Sequence, residues 1–163
     1  MNNPISNTGP SASDRPGRGD AVLNLCTARS MVPLVRCIVQ DVLATRRELA
    51  RLLPEQDRLD RQRRTLDWPD RSRRYQLREQ IAGHEQNLTQ AMVELGNLGV
   101  VLLDPTKGQV GFPTLVNGRR AFFSWRLGEE SLKHWHFAGD RVRRLIPPTW
   151  GLEDEEEGEE DSE

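Results

Sequence analysis

The chain has 163 residues, of which 36% are hydrophobic and 29% charged; this length suits one domain plus tails, and the apolar share falls below the roughly 45–50% of globular chains. The net charge of −2 conceals a split: the nine acids of residues 151–163 leave 16 acidic against 23 basic side chains in residues 1–150, a net of +7. No apolar run is long enough to insert into a bilayer, two cysteines are too few for a disulfide framework, and the cytoplasm is the expected location.

Residues 1–20 hold almost nothing to bury and lack the apolar stretch of a secretory signal, so a disordered N-terminal tail is expected. A single domain should span residues 21–150, and the acidic block 151–163 should repel itself and stay extended. Cys26 and Cys37 sit among apolar neighbours, which predicts buried free thiols.

The spacing predicts a helix from Thr27 to about Leu53. Thr27 is the expected N-cap, and Pro33 is placed in the first turn. Val35, Val39, Val42, Leu49 and Leu53 form its apolar stripe, and Pro54 should end or kink it. After a polar connection, Asp67-Trp68-Pro69-Asp70 signals a second helix, running from about Pro69 to Leu95. Leu77, Ile81, His84, Leu88, Ala91 and Leu95 alternate steps of four and three, a coiled-coil-like seam, with Gly96 and Gly99 as the stop. The pair reads as a long antiparallel α-helical hairpin over about residues 27–97, with His84 partly buried on the seam. The seam leaves open whether it is satisfied within one chain or by self-association.

From Gly99 the period switches to two, and a small antiparallel sheet of about four strands is expected over residues 99–138. Asp104 to Gly108 forms a loop without phosphate-loop spacing. Asn117-Gly118 predicts a type I′ turn, which sets Phe112 opposite Phe123, Val110 opposite Trp125 and Pro113 opposite Phe122. Val110, Phe112, Ala121, Phe123, Trp125, Trp135 and Phe137 then share the core face. Ser124, Arg126, His134 and His136 share the other with Phe122. The fold class is thus α+β.

The run GQVGFPTLVNGRRAFFSWRLGEESLKHWHF resembles a bacterial family known as domain of unknown function 2203. The likeness is carried by Phe112-Pro113, by Trp125-Arg126-Leu127-Gly128-Glu129, by Trp135-His136, and by the opening Ala28 to Val35, over roughly residues 24–146. The chain departs from the family pattern at Gly111, Glu130, His134 and Phe137, where the family has an acid, Pro, Tyr and an acid. The resemblance implies an architecture and no activity.

Three candidate chemistries follow from these residues. His134 and His136 supply two imidazoles, short of the three or four protein ligands of a zinc site, so neither a metal nor a cofactor is expected. Ser124, His136 and Glu129 make a triad on paper, but no nucleophile-elbow motif surrounds Ser124. The third is the helical tip, where residues 58–78 carry Arg58, Arg61, Arg63, Arg64, Arg71, Arg73, Arg74 and Arg78 against Asp60, Asp67 and Asp70. Guanidinium forks suit phosphate oxygens, and Trp68 and Tyr75 lie among them as stacking surfaces. The competing reading is a solvated end with Asp60–Arg64 and Asp70–Arg74 pairs. The expected function is a non-enzymatic interaction module whose tip meets nucleic acid or another acidic partner, protein included. The alternative is an enzyme or metal-binding protein using Arg126, His134 and His136. The opposite blocks of charge also suggest the acidic tail folding back onto the tip arginines.

Overall fold

A computed structural model describes residues 21–151. The expected disorder of residues 1–20 and 152–163 lies outside the described residues.

Helix α1, Leu25–Arg61, is 37 residues long and so spans about 55 Å. It begins two residues earlier than Thr27: Asn24 is the N-cap, and its side chain accepts the Thr27 N–H at 2.7 Å. Pro33 therefore sits inside the helix, as does Pro54, through which the helix runs for seven further residues. Both prolines are exposed, as are Arg29 and Ala50, whose carbonyls lose a hydrogen bond and face water. Leu52 and Leu59, buried on either side of Pro54, hold the helical course.

Helix α2, Trp68–Asn97, starts where the sequence places it, with Asp67 accepting the Asp70 N–H at 3.1 Å and Pro69 in the first turn. It closes in a Schellman turn. Val100 N–H reaches Leu95 O, Gly99 N–H reaches Gly96 O, and Gly99 adopts φ +74°. The polar connection is residues 62–67, shorter than expected because α1 runs on past Pro54 to Arg61.

The hairpin seam closes within one chain. Leu77 and Ile81 pack with Leu49, Leu52, Leu59 and Leu66 near the tip, while Ala91 and Leu95 join Val35, Val39 and Val42 in the main core. Leu88 touches both clusters, and His84 is half-buried.

The sheet is an antiparallel meander of five strands, in order β1 (Val101–Asp104), β2 (Gln109–Val116), β3 (Arg119–Arg126), β4 (His134–Phe137) and β5 (Arg144–Leu145). Asn117 and Gly118 take φ of 52° and 75°, and the register pairs Phe112 with Phe123, Val110 with Trp125 and Pro113 with Phe122. Beyond Gly111, β1 no longer covers β2, so the ring of Pro113 meets no ladder partner, and its carbonyl accepts Leu23 N–H at 2.7 Å. The fifth strand adds one to the about four expected. It is the pair Arg144–Leu145 at the end of a basic run, too short to show an alternation.

The core face of the sheet lies on α1: Val110, Phe112, Ala121, Phe123, Trp125 and Trp135 join Val32, Val35 and Val39. Trp150 covers its rim, edge-on to Phe123 and 5.2 Å from the Trp135 ring. Cys26 and Cys37 are exposed, against expectation. Each follows or precedes a buried residue, Leu25 and Ile38, and a 100° step per residue turns it outward.

Candidate functional site

The second face of the sheet brings Ser124, Arg126, His134 and His136 together as the alternation requires, His134 opposite Ser124 and His136 opposite Phe122. Three further side chains complete the cluster. Glu129 presents both oxygens: Oε1 accepts the Arg126 backbone N–H at 2.8 Å and Arg143 Nη2 at 2.6 Å, and Oε2 lies 3.1 Å from His134 Nδ1. Ser124 is fully buried, and its Oγ accepts from Arg143 Nε and from Gln109 Nε2, each at 3.0 Å. Arg143 also donates to Ser124 O, and Arg126 Nε donates to Gln109 Oε1. The Arg143 side chain, 13% exposed, is thus drawn over the sheet by one charged and two neutral acceptors.

The triad drawn from sequence does not assemble. Glu129 meets His134, while His136 directs Nδ1 to the Phe137 carbonyl at 2.8 Å. With Nδ1 donating to a carbonyl, His136 holds its other nitrogen bare, and Nε2 is buried without a hydrogen-bond partner in a residue only 5% exposed. Donors occupy the Ser124 Oγ where a nucleophile needs a base. Among the described residues no group of three or more His, Cys, Asp or Glu is placed to hold a metal ion.

The Trp125-to-Glu129 segment is a self-bound turn. Trp125 Nε1 donates to Glu129 O at 3.1 Å, the Glu129 carboxylate returns to Arg126 N–H, and Gly128 takes φ +103° between them. Arg36 of α1 reaches across to Glu130 O at 3.0 Å and lies over the Trp125 ring. The most distinctive run of the sequence therefore fastens sheet to helix. A family model described as "Uncharacterized conserved protein (DUF2203)" matches residues 22–144. The chain belongs to that family. Comparison with curated proteins and with solved structures finds no match.

Two departures of this DUF2203 chain have a structural reason. Gly111 stands where a side chain has no room: a Cβ there would lie 2.7 Å from Phe122 Cδ1 and 2.9 Å from Leu103 Cδ1. Phe137 packs edge-on against Trp135, and Arg119 lies 4.2 Å over its ring. The carboxylate that orients a histidine on this face comes from Glu129 instead.

At the far end, the eight arginines divide. Arg73 and Glu55 form a two-pronged pair at 2.8 and 2.9 Å, Arg74 meets Asp60 at 2.6 Å, and Arg71 Nε donates to Leu66 O. The first two pairs tie α2 to α1, so Asp60 pairs across the hairpin with Arg74 and not with Arg64, which lies beyond the end of α1. The Arg73 guanidinium holds the Glu55 carboxyl below its ordinary value, and Glu55 raises Arg73 in return. Arg58, Arg61, Arg63, Arg64, Arg71 and Arg78 are exposed. Between them Trp68 and Tyr75 are 77% and 69% exposed. Seven residues apart, they point the same way, on the side of α2 opposite Leu77, Ile81 and Leu95. Arg71 and Arg78 lie beside them on that side.

Sequence reasoning misses Gln109 and Arg143 and gives Glu129 the wrong partner. Arg143 is visible in a basic run; a fifth strand pairing with β4 is the missing link that brings it over Ser124. The sequence places Trp68 and Tyr75 at the tip, and their shared outward face follows only once α2 is known to begin at Trp68.

Proposed function

We propose that this DUF2203 protein is a non-enzymatic cytoplasmic binding module whose hairpin tip holds single-stranded nucleic acid. The exposed Trp68–Tyr75 pair, with Arg71 and Arg78 on the same side of α2 and four more exposed arginines at the end of α1 and in the connection, carries this reading. Burying an aromatic ring is worth far more than leaving it in water, and neither ring has a core to fill on that side of α2. A π-face offered beside guanidinium groups suits an unpaired base next to its phosphate. The Arg126–His134–His136 face offers less as an enzyme site, because Glu129, Arg143 and Gln109 already engage Ser124, Arg126 and His134 in internal bonds.

Fluorescence anisotropy of a labelled single-stranded oligonucleotide tests the proposal. Changing Trp68→Ala should weaken binding roughly 5- to 100-fold, the worth of about one stacked base, with melting temperature nearly unchanged for so exposed a side chain. Equal affinity for wild type and variant would remove the proposal.

A further inference from the structure

We infer that the outer face of α2 is an interface for a second copy of this chain, the two α2 helices packing antiparallel across it. The inference goes beyond the tip reading, and the pairing stands or falls without it.

The face runs the length of α2. Trp68, Tyr75, Ala82, Thr89 and Gly96 recur at seven-residue steps and are all exposed, with Gln86 and Val93 exposed between them. Steps of seven and four keep these residues on one side of the helix over about 42 Å. Trp68, Tyr75 and Val93 are large, and they stand 77%, 69% and 50% exposed. The sheet packs its core face on α1 and leaves this side of α2 open. Ala82 and Gly83 sit at the middle of it. Glycine is among the poorest residues for an exposed helix interior, and among the described residues nothing lies within 4 Å of where a Gly83 Cβ would be. Packing inside the chain gives no reason for a glycine there. Close approach of a second backbone does.

Charge fixes the direction. A helix alone favours acids near its start and bases near its end. Asp70 apart, α2 has the reverse order. Arg71 and Arg78 are exposed in its first half, no Lys or Arg follows Arg78, and Glu79, Glu85 and Glu94 are exposed in its second. Parallel packing on a copy would set like charge against like. Antiparallel packing sets each basic half on an acidic half, and the two macrodipoles oppose. The register that sets Trp68 on the partner's Val93 also sets Tyr75 on the partner's Gln86 and brings Arg78 beside the partner's Glu85. The two-fold axis repeats each contact. Burial of the rings supplies the attraction. The ion pairs, exposed and screened by salt, set orientation more than strength. The rings that meet the second copy are the ones the tip offers to a strand, so the two occupants exclude each other.

Charge exchange in the full chain tests this. Arg78 and Glu85 are exposed and lie two turns apart, so changing either leaves the fold intact. Arg78→Glu or Glu85→Arg alone sets like charges together at both contacts. Either should weaken dimerisation roughly tenfold in sedimentation velocity at low salt. In an equal mixture of the two variants, a carboxylate faces a guanidinium at both contacts, and the mixture should dimerise as the wild type does. A wild type that stays monomeric at high concentration and low salt overturns the inference. So does a mixture that pairs no better than its components, or a dimer that takes up a single-stranded oligonucleotide without dissociating. Oligonucleotide binding by wild type diluted below its dimerisation range reads the tip proposal separately. If binding is absent there, the tip reading falls and the pairing is judged on the mixture alone.

Discussion

Glu129 concentrates more of the sheet's polar chemistry than any histidine that first draws the eye. Its carboxylate closes the Trp125–Glu129 turn, anchors Arg143 and orients His134. Removing it leaves Arg143, 13% exposed, with a charge and no counter-ion. Glu129→Ala should therefore cost about 2–3 kcal/mol of stability in chemical denaturation, while His134→Ala, at the more exposed end of the network, costs less. Equal losses would mean that the Arg143 arm is not what the carboxylate holds. Acid should act through other residues. Glu55 sits below its ordinary value of 4.5 because it accepts the Arg73 fork, and Asp104 is lowered by the backbone N–H groups of Lys107 and Thr106. A depressed folded value stabilises the fold above the unfolded value, and that stability fades as pH falls through the folded one. Thermal melts should thus lose stability below about pH 4.5, and Glu55→Gln should flatten the loss. An unchanged acid limb in that variant would show the pair to be decorative.

Among the elements, the hairpin between β2 and β3 is legible from sequence because one dipeptide carries it. Asn117-Gly118 tolerates the two left-handed residues of a tight turn, and a two-residue turn leaves only one register. The start of α2 is legible for a similar reason, since Asp67 caps and Pro69 costs nothing in a first turn. The end of α1 is not. Proline predicts a break from local sterics alone, whereas Leu52, Leu59 and the packing of Leu66 with Leu77 bury enough on both sides of Pro54 to carry the helix through it. Such a proline leaves strain behind. Pro54→Ala should raise stability by about 1–3 kcal/mol; a drop in melting temperature would show instead that the packing of Leu59 requires the bend. Strand β5 and the Arg143 arm lie beyond a sequence reading because two residues make no period, and the basic run that holds them looks like any solvated segment.

As a whole, the molecule is a rod of about 55 Å with its sheet and main core at one end and a second, smaller leucine cluster near the tip. The core is built at the base, which leaves the tip free of packing duties on its outer side and lets it carry exposed aromatic and cationic groups. No helix of the described residues is long and apolar enough to cross a membrane. Of the four tryptophans, Trp125 and Trp135 are buried, Trp150 is half-buried and Trp68 stands out in solvent. Intrinsic emission therefore reports selectively on the proposed site. Titrating a single-stranded oligonucleotide while following that emission, over a series of salt concentrations, tests the central claim most directly. Binding should quench a Trp68 signal that Trp68→Phe abolishes, and log affinity should fall linearly with log salt. Changing Arg61, Arg63 and Arg64 to Gln should reduce that slope by about 2, at roughly 0.7 for each phosphate no longer neutralised. A slope that is the same in wild type and variant, or an emission that the oligonucleotide leaves untouched, would contradict it.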